Sequence, residues 1–314
     1  MNIRYSMLRV AHMLCAIAIL PSCTFMQTND MNFHPDRKHY FKKDQFLNYR
    51  EIGEGNQTII FLHGFGASNR TWDDVLPYFR LKKYRLILVD LIGSGFSSIP
   101  VDSDFSMATN ADAVIDFIKS NKLRNYVLVG HSFGGGVVLN AVLKLDSSDT
   151  PKPNALILLD TAAYDTGLPF FVDHLRIPLL GRFLLTVTPP SLRARYTLER
   201  IYFDKSKVTN DKVNRYAYFF SLPGSDSALL ESAKQIIPDN YADLTGKYKT
   251  IDLPTLILWG AQDTALSIDG GRRLAGEMPK AKFVVIDKCG HNPQEEHPEE
   301  SAREIEEFLK TIGE

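Results

Sequence analysis

The chain has 314 residues, 44% of them hydrophobic, and its formal net charge is −1 at pH 7. This length and apolar content allow one large core, so we expect one domain with an insertion. The balanced charge, without any long run of like charges, excludes the basic surface that nucleic-acid binding requires, and no nucleic-acid partner is expected.

The N-terminus has the pattern of an export signal. Arg4 and Arg9 precede a short apolar run over residues 13–20, which Pro21 ends. This run is too short to span a bilayer, which needs about twenty residues, whereas a charged segment before a short apolar one is typical of a secretory signal. We therefore predict a signal peptide over residues 1–22.

The segment Leu20-Pro21-Ser22-Cys23 resembles the lipoprotein box of bacteria, in which the cysteine is lipidated and becomes the first residue of the mature chain. The resemblance implies a lipid on Cys23 and an exported protein that is anchored to a bacterial membrane and faces the periplasm. Thr24, where inner-membrane lipoproteins often carry aspartate, favours the outer membrane. A signal cleaved elsewhere and an uncleaved anchor are the competing interpretations. Residues 23–43 are polar and lack a periodic pattern, which predicts a tether.

Apolar runs alternate with helical patterns over residues 44–160 and again over 251–314, and these two stretches form the predicted core. The predicted strands are 45–52, 58–62, 84–89, 127–129, 155–159, 255–259 and 283–286, and the predicted core helices are 68–79, 111–118, 133–144 and 299–312. This alternation predicts an α/β fold, with a mainly parallel sheet between helices and with ligands at the carboxyl ends of the strands.

Glycine-containing loops follow two of the early strands. In His63-Gly64-Phe65-Gly66, the backbone N–H of Phe65 can face a crevice and meet a developing oxyanion; an ordinary strand-to-helix turn would have the same pattern. The loop over Asp90–Ser97 lacks both the lysine of a P-loop and the spacing of a dinucleotide fingerprint. We interpret it as a structural loop at the rim of a site.

Residues 127–136 run from an apolar strand through Gly130-His131-Ser132-Phe133-Gly134 into a helix that is apolar on nearly every face. In a nucleophile elbow the serine lies on a strained turn, and the residues two positions away on each side must lack bulk. The start of the following helix directs backbone N–H groups at the serine. The pattern predicts that Ser132 is a nucleophile, while the motif alone leaves open a serine that is merely packed among glycines.

The stretch over residues 161–250 has no strand pattern and is too long for a structureless loop inside a compact domain. Helical patterns occur near residues 192–202, 211–222 and 227–237, and eleven Phe or Tyr residues lie between positions 164 and 220. We predict a helical cap over 161–250, whose aromatic surface lines an apolar lid over the strand ends.

A serine nucleophile needs a base that takes its proton and an acid that orients this base. Asp263 ends the segment Trp259-Gly260-Ala261-Gln262-Asp263, and His291 lies in Cys289-Gly290-His291-Asn292-Pro293; each segment follows a strand. Asp160, which also ends a strand, is the rival for the acid. We interpret the remaining candidates as structural: His63, His131, His297 and Cys289.

The sequence contains no pair of cysteines at ligand spacing, no His-x-x-x-His and no acidic cluster at ligand spacing. It also lacks a dinucleotide fingerprint. We therefore expect neither a metal nor a cofactor.

From about Phe46 to the C-terminus, these glycine, serine, aspartate and histidine segments resemble the α/β-hydrolase superfamily. The resemblance implies that Ser132 is the nucleophile, His291 the base and Asp263 its orienting acid. It also implies that Phe65 and Phe133 contribute their backbone N–H groups to the oxyanion hole. The insertion corresponds to the family's cap, which is placed between two core strands.

Within that superfamily, dehalogenases and epoxide hydrolases use an aspartate nucleophile, so Ser132 favours acyl transfer to water. The capped form resembles bacterial carboxylesterases and small lipases, which implies hydrolysis of a small apolar ester. Hydrolases of carbon–carbon bonds in ring-cleavage products, of the 2-hydroxymuconate semialdehyde type, share the cap and triad. They commonly carry Asn before the serine and Trp after the histidine, where this chain has His131 and Asn292. Two further hypotheses stay open, a cofactor-free perhydrolase and an inactive, lipid-anchored binding protein.

Overall fold

A computed structural model provides the structure of the chain. It describes residues 36–42, 45–101, 103–146, 148–165, 167–177, 179–238 and 240–312. The predicted signal peptide, Cys23 and the first part of the predicted tether lie outside these ranges. Within them, no helix combines the length and the apolar character that crossing a membrane requires.

Eight strands form one sheet in the order β1-β2-β4-β3-β5-β6-β7-β8. The strands are β1 (Arg37–Lys42), β2 (Gln45–Ile52), β3 (Gln57–Leu62), β4 (Tyr84–Val89), β5 (Tyr126–His131), β6 (Ala155–Leu159), β7 (Thr255–Gly260) and β8 (Ala281–Ile286). β1 and β2 pair antiparallel, β2 joins β4 antiparallel, and all other neighbours are parallel. The inner strands are continuous apolar runs because helices cover both faces of the sheet.

The helices of the described residues fall into two groups. Those of the core are α1 (Met107–Ser120), α2 (Phe133–Leu145), α9 (Ile268–Glu277), α10 (Pro293–Glu296) and α11 (Pro298–Thr311). Those between β6 and β7 are α3 (Phe170–Arg176), α4 (Leu180–Val187), α5 (Pro190–Ile201), α6 (Asn210–Phe220), α7 (Ser225–Lys234) and α8 (Tyr241–Lys247). The predicted α/β architecture with a helical insertion between two core strands is confirmed.

Two local predictions were wrong. Residues 68–79 form two short 3₁₀ turns instead of one helix; the Ser68 side chain caps the first, and Pro77 lies in the second. The predicted tether contains β1, an outer strand that pairs with β2. The imidazole of His39 in β1 is hydrogen-bonded to Asp116 at 2.8 Å, which attaches this polar strand to the core.

Candidate active site

The turn between β5 and α2 has the geometry of a nucleophile elbow. Ser132 has φ 52° and ψ −117°, a backbone conformation that L-residues rarely adopt. A Cβ atom on Gly130 would lie 2.5 Å from the carbonyl oxygen of Gly134, and one on Gly134 would lie 2.4 Å from that of Leu62. Only glycine therefore fits two residues before and two residues after Ser132, as the sequence predicted.

The backbone N–H groups beside this serine are suited to an oxyanion hole. The loop after β3 approaches the serine so closely that a Cβ on Gly64 would be 3.2 Å from that of Ser132. Within the described residues, the N–H groups of Phe65 and Phe133 have no hydrogen-bond partner, and both residues line one cleft. Two unpaired donors at one cleft match the requirement for binding a developing oxyanion.

The predicted acid and base are in contact. Nδ1 of His291 lies 2.8 Å from Oδ2 of Asp263, and both side chains are almost fully buried. Oδ1 of Asp263 accepts hydrogen bonds from the N–H groups of Ala265 and Leu266. Burial raises the pKa of Asp263, but the His291 ring and these N–H donors outweigh burial and hold the pKa below its usual range. Asp263 is therefore ionised and fixes Nδ1 of His291 as a donor.

His131, which precedes Ser132, holds the loop that carries His291. Its Nε2 donates to the carbonyl oxygen of His291 at 2.7 Å, and the two ring centroids are 4.9 Å apart. Burial and the neighbouring His291 lower the pKa of His131 to about 3, so the ring is neutral. In the described part of the chain, no hydrogen bond joins the Ser132 hydroxyl to His291; catalytic hydrogen bonds of this kind commonly tighten only with substrate.

His63 and Asp90 hold the loops at the rim, in agreement with their structural interpretation. Nε2 of His63 accepts from the N–H of Leu91 at 3.0 Å, and Nδ1 donates to the carbonyl oxygen of Gly64. The buried Asp90 carboxylate accepts from the N–H groups of Asn69 and Phe96 and from the Asn48 side chain. Burial raises the pKa of Asp90 to about 6.

Asp160 lies next to the Asp263–His291 pair. Its carboxylate and the nearest polar atoms of Asp263 and His291 all lie within 4.8 Å of one another. Oδ1 of Asp160 accepts from the N–H of Gly260 at 3.0 Å, whereas the buried Oδ2 has no partner within the described residues. Burial and the Asp263 charge raise the pKa of Asp160 well above its ordinary value. Because N–H donors already occupy most of these oxygens, the trio suits a hydrogen-bonded acid and base better than a metal ion.

A narrow cleft adjoins the Ser132 turn, and its lining mixes apolar side chains with hydroxyl and backbone groups. Its lining comprises His63, Gly64, Phe65, Gly66, Leu91, Ile92, Gly93, Ser94, Phe105, Phe133, Leu229 and Ser232. The aromatic lining thus comes from the core, and helix α7 of the cap contributes Leu229 and Ser232. Among the cap's described aromatic residues, Tyr164, Tyr202, Phe219 and Tyr248 are buried, whereas Phe183, Tyr196 and Phe203 are exposed. The prediction that cap aromatics line the lid was therefore wrong for this cleft.

One side of the cap is fixed to the His291 loop by two buried carboxylates, a feature the sequence did not reveal. Glu295 accepts hydrogen bonds from three hydroxyl groups, those of Thr71 in the core and Tyr202 and Tyr216 in the cap. Glu296 accepts from the N–H groups of Gly290, Phe203 and Asp204. The N–H of His291 donates to the carbonyl oxygen of Ile201 at 2.8 Å. We call residues 201–204 with Glu295 and Glu296 the cap clamp.

Comparison with known proteins agrees with this geometry. A family profile described as "alpha/beta hydrolase fold" matches residues 57–298. The uncharacterized hydrolase YugF of Bacillus subtilis is 26% identical over 261 residues, covering 82% of this chain and 91% of YugF. The 2-hydroxymuconate semialdehyde hydrolase of Pseudomonas putida is 26% identical over 267 residues, covering 83% of this chain and 90% of that enzyme.

A solved structure shows the same fold. The meta-cleavage product hydrolase CumD from Pseudomonas fluorescens superimposes with a TM-score of 0.72 at 22% identity, covering 88% of this chain and 98% of CumD. The profile match spans most of the chain, and the elbow, the free N–H groups and the acid–base pair lie at the carboxyl ends of the strands. The chain therefore belongs to the α/β-hydrolase family.

Proposed function

We propose that the protein hydrolyses carboxylic esters with apolar, short-to-medium acyl chains through an acyl-enzyme intermediate. The observation that carries this proposal is the uncharged cleft beside Ser132. None of its lining residues is Lys, Arg, Asp or Glu, and the one titratable lining side chain, His63, has its pKa lowered to about 4 by burial. A neutral substrate matches this uncharged lining, whereas a carboxylate substrate would lie there without a cationic partner.

Each step of the proposed hydrolysis uses residues of the site described above. As Oγ of Ser132 attacks the carbonyl carbon, Nε2 of His291 takes the hydroxyl proton, and Asp263 stabilises the resulting imidazolium. The N–H groups of Phe65 and Phe133 bind the oxyanion. The alcohol leaves with the proton held by His291. Water then loses a proton to the same nitrogen and attacks the acyl carbon. As the bond between this carbon and Oγ breaks, His291 returns the proton to Oγ, which releases the acid and restores Ser132.

Hydrolysis of carbon–carbon bonds is the second candidate, and the curated relatives favour it. The 2-hydroxymuconate semialdehyde hydrolase of Pseudomonas putida and the 2-hydroxy-6-oxo-6-phenylhexa-2,4-dienoate hydrolase of Burkholderia cepacia match this chain at 26% and 27% identity. Dienoates are carboxylates and need a cation near the site. In the cap, the guanidinium of Arg193 lies over the Phe220 ring and is paired with Asp226 at 2.6 Å, so its charge is already compensated.

Parallel assays separate the two candidates. The purified chain is given p-nitrophenyl acetate, butyrate, hexanoate and octanoate, and separately 2-hydroxy-6-oxo-6-phenylhexa-2,4-dienoate, with Ser132→Ala as the blank for both. We expect Ser132-dependent turnover of the esters and a kcat/KM for the dienoate that is lower by at least about two orders of magnitude, the loss expected when a substrate charge lacks a partner. The reverse ranking would assign the protein to the carbon–carbon hydrolases.

A further inference from the structure

One helix of the cap is attached to its neighbours by one face only. In α4, Leu185 is buried, and Gly181 packs so closely that a Cβ there would lie 2.5 Å from the carbonyl oxygen of Leu175 and 2.8 Å from the Leu230 side chain. Leu175 belongs to α3 and Leu230 to α7. These contacts fix which side of α4 faces inward.

The opposite face of α4 is apolar and exposed. Phe183 and Val187 are four residues apart, which places them on one side of the helix, and they are 51% and 49% exposed. Leu179, the residue that precedes the helix, is 84% exposed. Arg182 is exposed next to Phe183 and has no ion-pair partner within the described residues. We call Leu179, Arg182, Phe183 and Val187 the outer stripe.

The sequence around the outer stripe is basic. Residues 173–200 contain five arginines against two acidic residues, Asp173 and Glu199. Arg176, Arg193 and Arg195 pair with Asp173, Asp226 and Glu199. Arg182, beside Phe183, is the arginine of the outer stripe whose charge no carboxylate compensates within the described residues. Leu192 and Tyr196, four residues apart on α5, add further exposed apolar groups. Exposed apolar side chains with arginines beside them are typical of helices that lie at a lipid surface, where the apolar groups enter the headgroup boundary and the guanidinium groups bind phosphates.

We propose that the outer stripe docks on an anionic phospholipid surface, with Phe183 and Val187 at the acyl boundary and Arg182 on the phosphates. The size of the stripe favours lipid over a protein partner. An eight-residue helix is about 12 Å long, whereas a stable protein interface buries about 800 Å² on each partner. The proposal rests on the cap surface alone. It is independent of the predicted lipid on Cys23 and of the proposed ester hydrolysis.

The test measures hydrogen exchange of the amides over residues 179–187 in the full chain during titration with vesicles. One vesicle set contains phosphatidylglycerol and phosphatidylethanolamine, and the other contains phosphatidylcholine. We expect slowed exchange on the anionic vesicles. Phe183→Ser combined with Val187→Ser should raise the half-saturating lipid concentration by about tenfold or more, and Arg182→Gln should raise it by about fivefold on the anionic set only.

Val101→Ser is the matched control, because Val101 is 89% exposed and lies outside the cap; it should leave the titration unchanged. Circular dichroism confirms that each variant is folded. Unchanged exchange over 179–187 with anionic vesicles would overturn the proposal, as would an equal effect of Val101→Ser. Slowed exchange that appears without vesicles as the protein concentration rises would assign the outer stripe to a second copy of the chain instead.

Discussion

The backbone of Ser132 has a positive φ, which L-residues rarely adopt. Neighbouring backbone atoms approach Gly130 and Gly134 so closely that the chain around Ser132 is held in this tight turn. This geometry lifts the hydroxyl to the carboxyl end of the sheet, beside the loop that carries His291. A strained residue that its surroundings hold in place is typical of a catalytic position. The glycines on both sides of Ser132 therefore serve to position its hydroxyl group.

Ser132→Ala and His291→Ala should each lower kcat by about 10⁴- to 10⁶-fold, because nucleophile and base act as one unit. Initial rates on the best ester of the series measure the loss. His297→Ala is the matched control, since His297 contacts the Lys288 carbonyl and starts α11 away from the cleft. Retention of more than a few per cent of wild-type turnover by either variant would contradict the assignment.

Two buried carboxylates compete for the role of the acid, and their contacts separate them. Asp263→Asn should lower kcat on the order of 10⁴-fold, because the amide no longer fixes the required tautomer of His291. Asp160→Asn keeps an oxygen that accepts from Gly260 and should be mild. Turnover of the two variants under identical conditions decides between them, and the opposite ranking would make Asp160 the acid.

The raised pKa of Asp160 also predicts a change in stability with pH. Because burial raises this pKa, the folded chain keeps the Asp160 proton above pH ~4, where the unfolded chain loses it, and so this residue lowers stability as the pH rises. Asp160→Asn removes this loss. In urea titrations, we expect a small difference between variant and wild type near pH 4 and an increasing advantage of the variant towards pH 7. A difference independent of pH would show that Asp160 is not protonated by its burial.

At the scale of elements, we expect the cap to limit the acyl chain that the cleft accepts under the proposed ester hydrolysis. Leu229 on α7 lines the cleft beside Gly66, and an apolar pocket gains about 0.8 kcal/mol for each buried CH₂ until it is full. Across the p-nitrophenyl series, kcat/KM should therefore rise from acetyl to a maximum at short or medium chains and then fall. Leu229→Ala should move the maximum to longer chains.

Leu230→Ala is the control for this prediction, because the neighbouring Leu230 faces Gly181 inside the cap. It should lower stability and leave the position of the maximum unchanged. A flat profile, or a preference for acetyl alone, would show that the cleft has no acyl pocket.

The sequence predicts the inner strands well because each is a continuous apolar run that helices cover on both sides. It predicts the elbow for a similar reason, since the constraint at Ser132 acts on residues only two positions away. β1 could not be predicted because its residues are mainly polar. Its attachment to the core depends on a contact between His39 and Asp116, which are 77 positions apart. Helices α3, α4 and α8 have only seven or eight residues, too few to establish a period.

The contact between Asp263 and His291 could be predicted because each residue follows a strand, whereas the cap clamp could not. Glu295 and Glu296 lie in a run of acidic residues that looks solvated in the sequence. Their partners, such as Tyr202 and Tyr216, come from an insertion about 80 to 90 positions earlier. Contacts of this kind depend on how the insertion folds back, which local patterns do not encode.

At the scale of the whole molecule, attachment of the chain to a membrane through Cys23 stays a prediction, because this residue lies outside the described part. Cys23→Ser should abolish globomycin-sensitive processing and membrane association, as measured by fractionation of cells that express the full chain. Cys15→Ser, inside the apolar run of the predicted signal, is the matched control and should fractionate like the wild type. Unchanged fractionation of Cys23→Ser, with cleavage at another site, would contradict lipidation.

The cap clamp has a consequence for recombination between relatives. A chimaera that replaces the whole insertion removes the hydroxyl groups of Tyr202 and Tyr216, and an incoming insertion without tyrosines at these positions leaves Glu295 with two hydrogen-bond donors fewer. The backbone N–H donors to Glu296 at positions 203 and 204 are lost as well where the incoming backbone follows a different path. Each buried polar group left in this way costs about 1–3 kcal/mol, and the cost arises next to His291. A breakpoint before Ile201 exchanges residues 164–200 alone and keeps every one of these donors. The segment that can be exchanged between relatives is thus smaller than the insertion. The part of the insertion from Ile201 onward has to come from the same parent as the loop that carries His291.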